Sequence, residues 1–334
     1  MATAAACGVR LAGCGSAVPD KRLTNDDLVG MMDTSDEWIR QRTGISERRI
    51  VDTEKGEGQF TLAREALGGA LDNAGMVGGD LDLIIHASVT SEMTCPSNAC
   101  RISAALDAQP AGAFDVVAAC SGFVYAINLA DSLIRSGRFG SIGVVGCDAM
   151  STAVDYADRS VAILFGDAAG AAVLVRDDDP NRGCIHQIME ADGRTWPSLF
   201  IPNVPRDIPS GFRDSGMRMG TLRMDGREVY KFAVKKFKDV IEESLAEANL
   251  TVDDVAQFVC HQSNVRIIES AKEKLGLPDE KVYINIDRYG NSSAGSVGLC
   301  LDQLWQAGKI TEGDIIVMVA FGGGMTWSSS VWRV

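Results

Sequence analysis

The 334-residue chain has no stretch of about 20 uncharged apolar residues, the length a membrane-crossing helix needs, so no membrane span is expected. Its N-terminus, MATAAACGVRLAGCGSAVP, lacks a basic start followed by an apolar block and reads as a first strand and loop, not a signal peptide. No two of the nine cysteines have CxxC spacing, several sit inside apolar runs, and a chain of this size needs no disulfide staples. Reduced thiols, a cytoplasmic location and no metal site are the expectation. Aromatic residues are few, at 6%, and histidines number only three. Basic residues are outnumbered 45 to 32, and the resulting net charge of -13 disfavours nucleic acid or an anionic membrane as a partner. With 46% hydrophobic and 23% charged residues, disorder is excluded and a sizeable core is available.

Apolar runs of strand length, "LDLIIHASV", "SIGVVGC", "GAAVLV", "VAQFVCHQ" and "DIIVMVAFG", alternate with helical patterns such as "LAREALGGALDNAG" and "VRIIESAKEKLG". That order predicts an α/β protein with buried, at least partly parallel sheets. A faint internal repeat runs through it. "LDNAGMVGGDLDLII" from residue 71 and "LAEANLTVDDVAQFV" from residue 245 match at an offset of 174. "FGDAAGAAVLV" likewise resembles "FGGGMTWSSSVWRV". Two similar halves are expected, residues 1–176 and 223–334. The Pro-, Gly- and charge-rich stretch 177–222 between them reads as linker and loops that could cap a site.

In "DVVAACSGFVYAINLADSL" a strand gives way to a helix at Cys120. Helix N-terminal N–H groups stabilise a thiolate, so a lowered thiol pKa is expected there. A small buried core cysteine is the alternative. His261 ends a strand in "VAQFVCHQSNVRII" and Asn291 lies in the turn "DRYGNSSAGSVG"; alone, each would pass for a structural histidine and a turn or cap asparagine. "VAFGGGMTW" offers glycine backbone N–H groups after a buried strand. Together the set suggests a thiolate nucleophile faced by two donors. Papain-like proteases use the same order of Cys, His and Asn, but the Cys-Gly-Ser-Cys-Trp-like surround and a disulfide framework are missing. A second cluster, Arg227, Lys231, Lys235, Lys236 and Lys238, crowds the start of an amphipathic helix and fits either a solvated face or a docking surface.

The motifs "DTSDEWIRQRTGISERRI", "AACSGFVYAI", "SVAILFGDAAGAAVLV", "HQSNVRII", "GNSSAGS" and "FGGGMTW" occur in this order along nearly the whole chain, which thereby resembles the β-ketoacyl-[acyl-carrier-protein] synthase III family of the thiolase superfamily. The resemblance implies a thiolase-like, five-layered αβαβα fold of two similar halves and a homodimer. It implies that Cys120 carries the acyl group of a primer acyl-CoA, and that His261 and Asn291 hold the thioester carbonyl of malonyl-acyl carrier protein as CO2 leaves. The backbone N–H groups of Cys120 and Gly323 would form the oxyanion hole, with Phe321 beside the malonyl carboxylate. Trp38 and Arg159 would sandwich the adenine of CoA, Thr34 and Arg42 would lie beside it, and Gly226 and Asn264 would line the pantetheine tunnel. Arg266, Lys231 and Lys274 would dock the acidic carrier protein. No cofactor is implied, because acyl-CoA is a substrate.

The family's Cys-His-Asn set points to initiation of fatty-acid biosynthesis, in contrast to elongating synthases and thiolases. The chain departs from the resemblance at Cys95, where many members carry phenylalanine in the loop that crosses to the partner subunit. A smaller side chain at the end of the acyl pocket predicts acceptance of primers longer than acetyl. Synthase-III-like enzymes that prime polyketide or quinolone-type metabolism, and a non-catalytic acyl-binding homologue, are the alternatives.

Overall fold

A computed structural model describes residues 7–212 and 218–334. Five strands make the first sheet: β1 (Gly8–Ala17), β2 (Leu83–Ala87), β3 (Gly112–Val116), β4 (Ser141–Ala149) and β5 (Asp167–Asp177), in the order β1-β5-β4-β2-β3. Four make the second: β6 (Gly183–Ala191), β7 (Gln257–Cys260), β8 (Ile315–Gly322) and β9 (Thr326–Arg333), in the order β6-β9-β8-β7. The orders match strand for strand, with β3 the extra edge of the first sheet. In both, the β2–β4 and β7–β8 pairs are parallel and the remaining matched pairs are antiparallel. The sequence repeat is therefore a structural one.

After α1 (Asp36–Thr43), α4 (Gly122–Arg135) and α7 (Gly295–Gln306) lie between the sheets; against the outer face of the first pack α2 (Gln59–Ala74) and α3 (Asn98–Ala105), and against the second α5 (Gly226–Glu247) and α6 (Val265–Leu275). The layers are αβαβα, as expected. A helix caught between two sheets must be apolar on nearly every side. Accordingly α7 buries Val297, Leu299, Cys300, Leu301 and Leu304, while α6, covered on one side only, keeps Arg266, Glu269 and Lys274 outside. The middle layer packs so closely that a Cβ on Gly170 of β5 would lie 2.2 Å from the Gly298 carbonyl carbon of α7. β4, apolar from Ile142 to Cys147, is buried at all nine positions, as a strand covered on both faces must be.

The stretch expected as linker and loops departs from that reading at its start. Residues 183–191 are β6, an edge strand on β9 and the counterpart of β1. Its polar, half-exposed sequence, GCIHQIMEA, carries no strong strand signal because only part of it is covered. Further along, a two-residue strand at Leu199–Phe200 pairs with Arg223–Met224 over the cavity described next.

Candidate active site

Cys120 sits in a single 3-10 turn, Ala119–Ser121, between β3 and the first residue of α4. Ala119 takes a left-handed φ of 48°, which turns the chain sharply enough to aim the next side chain into a cavity. The corner is held by the second half: Thr326 Oγ1 donates to the Ala118 carbonyl at 3.1 Å, and Gly322 packs directly on the Cys120 amide. The expected lowering of the thiol pKa is not what the site produces. Burial pushes the Cys120 thiol up to about 12, the Ser293 hydroxyl bonded to it acts in the opposite sense, and the Asp148 charge adds to the rise. At rest the thiol is protonated, and the N–H groups at the start of α4 favour the thiolate only as it forms.

His261 follows β7, with its N–H bonded to the Val319 carbonyl at 2.9 Å. Its Nδ1 lies 2.6 Å from Ser296 Oγ, and Nε2 has no hydrogen-bond partner among the described residues. The ring meets Phe321 edge to face at 5.4 Å, and Phe321 meets Phe237 in the same way at 5.9 Å. Burial lowers the His261 pKa to about 3, so the imidazole is neutral.

Asn291 is pinned to the first half by its backbone: its N–H donates to the Leu164 carbonyl at 2.8 Å and its carbonyl accepts from Gly166 N–H at 3.1 Å. Its side-chain Oδ1 accepts the Ser293 N–H at 2.9 Å, which leaves the amide NH2 to the cavity. Ser293 has a φ of 51° and sits 174 residues after Ala119, so the same left-handed corner occurs in each half. Asp148, buried at the end of β4, ties this turn to the first half. One oxygen accepts Ala294 N–H at 3.2 Å; the other accepts Ser88 Oγ, Val89 N–H and Thr90 Oγ1 at 2.8 to 2.9 Å.

These groups open onto one cavity of about 810 Å³. Cys120, His261, Asn291, Phe321, Gly323, Gly226 and Asn264 all line it, so seven of the residues singled out in the sequence are brought together. Val89, Leu199, Leu222, Met224 and Ile267 make an apolar wall. Asn264 caps α6, accepting Arg266 N–H at 2.9 Å, and donates to the Arg42 carbonyl at 3.0 Å, which fixes the rim.

The other candidates lie outside the cavity wall. Trp38 stacks directly under Arg159, whose Cζ is 4.8 Å from the ring centroid, with Arg42 at 5.6 Å. A planar base between two partners needs about 7 Å, twice a van der Waals contact, so Arg159 must lift off before a base can be sandwiched. Thr34 Oγ1 is buried with no partner among the described residues. Cys95 is exposed and does not line the cavity, whereas its neighbours Met93 and Thr94 do. Arg266 stacks on Tyr230, a cavity residue, at 5.8 Å; Lys231 pairs with Glu228 at 2.8 Å, and Lys274 is exposed further along α6. Sequence reasoning missed Asp148, Ser293 and Ser296. The small residues of "GNSSAGS" were the only signal for the two serines, and nothing local marks Asp148.

Paired sheets around a buried helix pair, with a buried cysteine at one central corner and a histidine and an asparagine facing the same cavity, fit a condensing enzyme of the thiolase fold, an acyltransferase. Comparison with known proteins narrows this. Residues 114–193 match the model of 3-oxoacyl-[acyl-carrier-protein] synthase III, and residues 245–334 match the model of that enzyme's C-terminal part. A β-ketoacyl-[acyl-carrier-protein] synthase III of Caldanaerobacter subterraneus is 44% identical over 319 residues, covering 96% of each chain. The crystal structure of the Aquifex aeolicus synthase III superposes with a TM-score of 0.90 at 41% identity, covering 98% of this chain and all of that one. A priming β-ketosynthase from the R1128 polyketide pathway superposes equally well, at 0.90, with 32% identity over 99% of this chain and 98% of that one. The chain belongs to the β-ketoacyl-[acyl-carrier-protein] synthase III family.

Proposed function

We propose that the chain condenses a primer acyl-CoA with malonyl-acyl carrier protein, giving 3-oxoacyl-acyl carrier protein, CoA and CO2, the step that initiates fatty-acid biosynthesis. The observation that carries this reading is the convergence of Cys120, His261 and Asn291 on one cavity. Cys120 Sγ attacks the primer thioester carbonyl, a Cys–acyl bond forms, and CoA leaves as its thiol with the proton Cys120 gives up. The malonyl thioester carbonyl then sits against His261 Nε2 and the Asn291 NH2. As the bond to the carboxylate breaks, the electron pair moves into an enolate that these donors hold, and CO2 departs. The enolate carbon attacks the acyl carbonyl, a carbon–carbon bond forms, and Cys120 leaves as thiolate and takes a proton from solvent. The backbone N–H groups of Cys120 and Gly323 hold the tetrahedral oxyanion.

Neutral donors suit this sequence. A histidine kept uncharged by burial stabilises an enolate without binding the substrate carboxylate as a salt bridge, and the Phe321 ring beside it disfavours the carboxylate over CO2. Gly226 and Asn264 at the rim line the path of the pantetheine arm. Trp38, Arg159, Arg42 and Thr34 hold the CoA end. Arg266, Lys231 and Lys274 face the acidic carrier protein, and the position of Arg266 over the cavity residue Tyr230 supports that docking face. No cofactor takes part.

The protein works as a homodimer in the cytoplasm. Supporting the dimer, β3 is an edge strand bearing half-buried Phe114 and Val116, and it runs into Val117, which is 78% exposed. Among the described residues no helix is long and apolar enough to cross a membrane. Cys95, exposed in one protomer, closes the acyl pocket of the partner, where its small size admits primers longer than acetyl. Equal or higher kcat/KM for acetyl-CoA than for C4 to C8 acyl-CoAs contradicts this. The likeness to the R1128 priming synthase supports a second reading, priming of a polyketide. Turnover assays offering fatty-acid-type and polyketide-type carrier proteins separately distinguish the two, and activity with neither contradicts both.

A further inference from the structure

Ser296 lies in the first turn of α7, buried, with three groups around its hydroxyl. His261 Nδ1 is at 2.6 Å, the Ser293 carbonyl at 3.0 Å, and Gln262 N–H points at the oxygen from 3.4 Å. The hydroxyl has one proton and two acceptors for it. Of the two acceptors Nδ1 is the nearer, at 2.6 Å against 3.0 Å for the carbonyl, which favours donation from the hydroxyl to Nδ1. The Ser293 carbonyl does not depend on that proton, because it also accepts the Ser296 backbone N–H at 3.3 Å. A neutral imidazole has a single N–H, and with Nδ1 accepting, that hydrogen is on Nε2, the nitrogen left to the cavity.

We infer that Ser296 is a positioning residue: it fixes His261 in the Nε2–H tautomer, so that the ring presents a donor to the substrate carbonyl. The use of that donor rests on the function proposed above, whereas the tautomer does not. Gln262 supports the arrangement from the side. Its amide NH2 donates to the Cys260 and Tyr283 carbonyls at 3.0 and 3.1 Å and its Oε1 accepts Asn285 N–H, which locks the turn that aims the imidazole.

The test reads tautomer and chemistry separately. With three histidines in the chain, a long-range proton–nitrogen correlation spectrum of imidazole-labelled protein is simple, and the signal lost in His261→Ala identifies this ring. The wild type is expected as Nε2–H, Ser296→Thr as the same, and Ser296→Ala with a substantial Nδ1–H population. Ser296→Ala is also expected to slow malonyl-thioester decarboxylation 10- to 100-fold while acyl-enzyme formation falls less than threefold, with Ser296→Thr recovering most of the loss. A wild-type His261 in the Nδ1–H form, or a tautomer unaltered in Ser296→Ala, overturns the inference whatever the kinetics. A tautomer that shifts in Ser296→Ala while decarboxylation is unchanged in both Ser296→Ala and His261→Ala overturns the proposed role of His261 instead.

Discussion

A Cβ added to Gly322 would lie 2.6 Å from the backbone nitrogen of Cys120 and 3.1 Å from that of Ser121. The end of β8 in the second half thus presses on the Cys120 amide, one of the two proposed oxyanion donors. Both neighbours are backbone, so no side chain can swing away. Gly322→Ala must therefore displace the corner, and removal of one oxyanion donor costs about 10²- to 10³-fold in kcat. We predict a loss of that size with little change in KM for acyl-CoA, measured by steady-state kinetics.

His261 is held neutral with a pKa of about 3, well below its ordinary 6.5, because burial penalises the cation. The unfolded chain then binds more protons than the native one between these values, so this residue's contribution to stability is full above pH 6.5 and is lost as pH falls toward 3. The imidazole carbon and proton shifts of His261 should stay flat from pH 8 to pH 5. A midpoint between 6 and 7 in an NMR titration contradicts the neutral-donor account.

Asp167, buried in β5, accepts Val51 N–H and Ser151 N–H at 2.7 Å and also bonds Ser151 Oγ, yet burial still raises its pKa from 3.8 to about 6. The sign is opposite to that of His261. The native state keeps the proton to higher pH, so the contribution is full below pH 3.8 and is lost as pH rises through 6, an upper bound of about 3 kcal/mol. Asp167→Asn cannot titrate. Its destabilisation relative to wild type, measured by denaturant unfolding, should be smaller at pH 7.5 than at pH 4.

Arg159 rests on Trp38 at 4.8 Å and donates to the Asp33 carbonyl at 2.6 Å, the posture of a clamp that must open for a base. Trp38→Ala removes the stacking platform and leaves the cavity untouched. KM for acyl-CoA should rise about 10-fold, in line with one to two cation–π and stacking contacts, with kcat changed less than threefold. A fall in kcat with KM constant contradicts the placement.

Much of this was legible from residues alone, and the reason differs by element. The two halves were readable because apolar strands covered on both faces leave unbroken runs, as in "SIGVVGC", and because duplication left Leu, Ala and Asp at a constant offset. That offset extends to Ala119 and Ser293, the left-handed corners, although neither residue type announces a positive φ. β6 was missed because an edge strand half in solvent needs no apolar alternation. Cys120, His261 and Asn291 were legible as candidates from residue type at strand and turn ends, and all three line one cavity. Their environment was not, since the rise in the thiol pKa comes from the depth of packing around it and from Asp148, 28 positions away in sequence. Ser296 looked like a small residue in a helix start, and only its distance to a ring 35 positions earlier gives it a task.

The central claim is that Cys120 carries the acyl group while His261 and Asn291 act afterwards on the malonyl thioester. Intact-protein mass spectrometry after incubation with a panel of acyl-CoAs tests it most directly. The account predicts an adduct of one acyl group on the wild type, on His261→Ala and on Asn291→Ala, none on Cys120→Ser, and no discharge of the adduct by malonyl-acyl carrier protein in the His261 and Asn291 variants. An adduct that persists in Cys120→Ser, or no adduct with any primer, contradicts it.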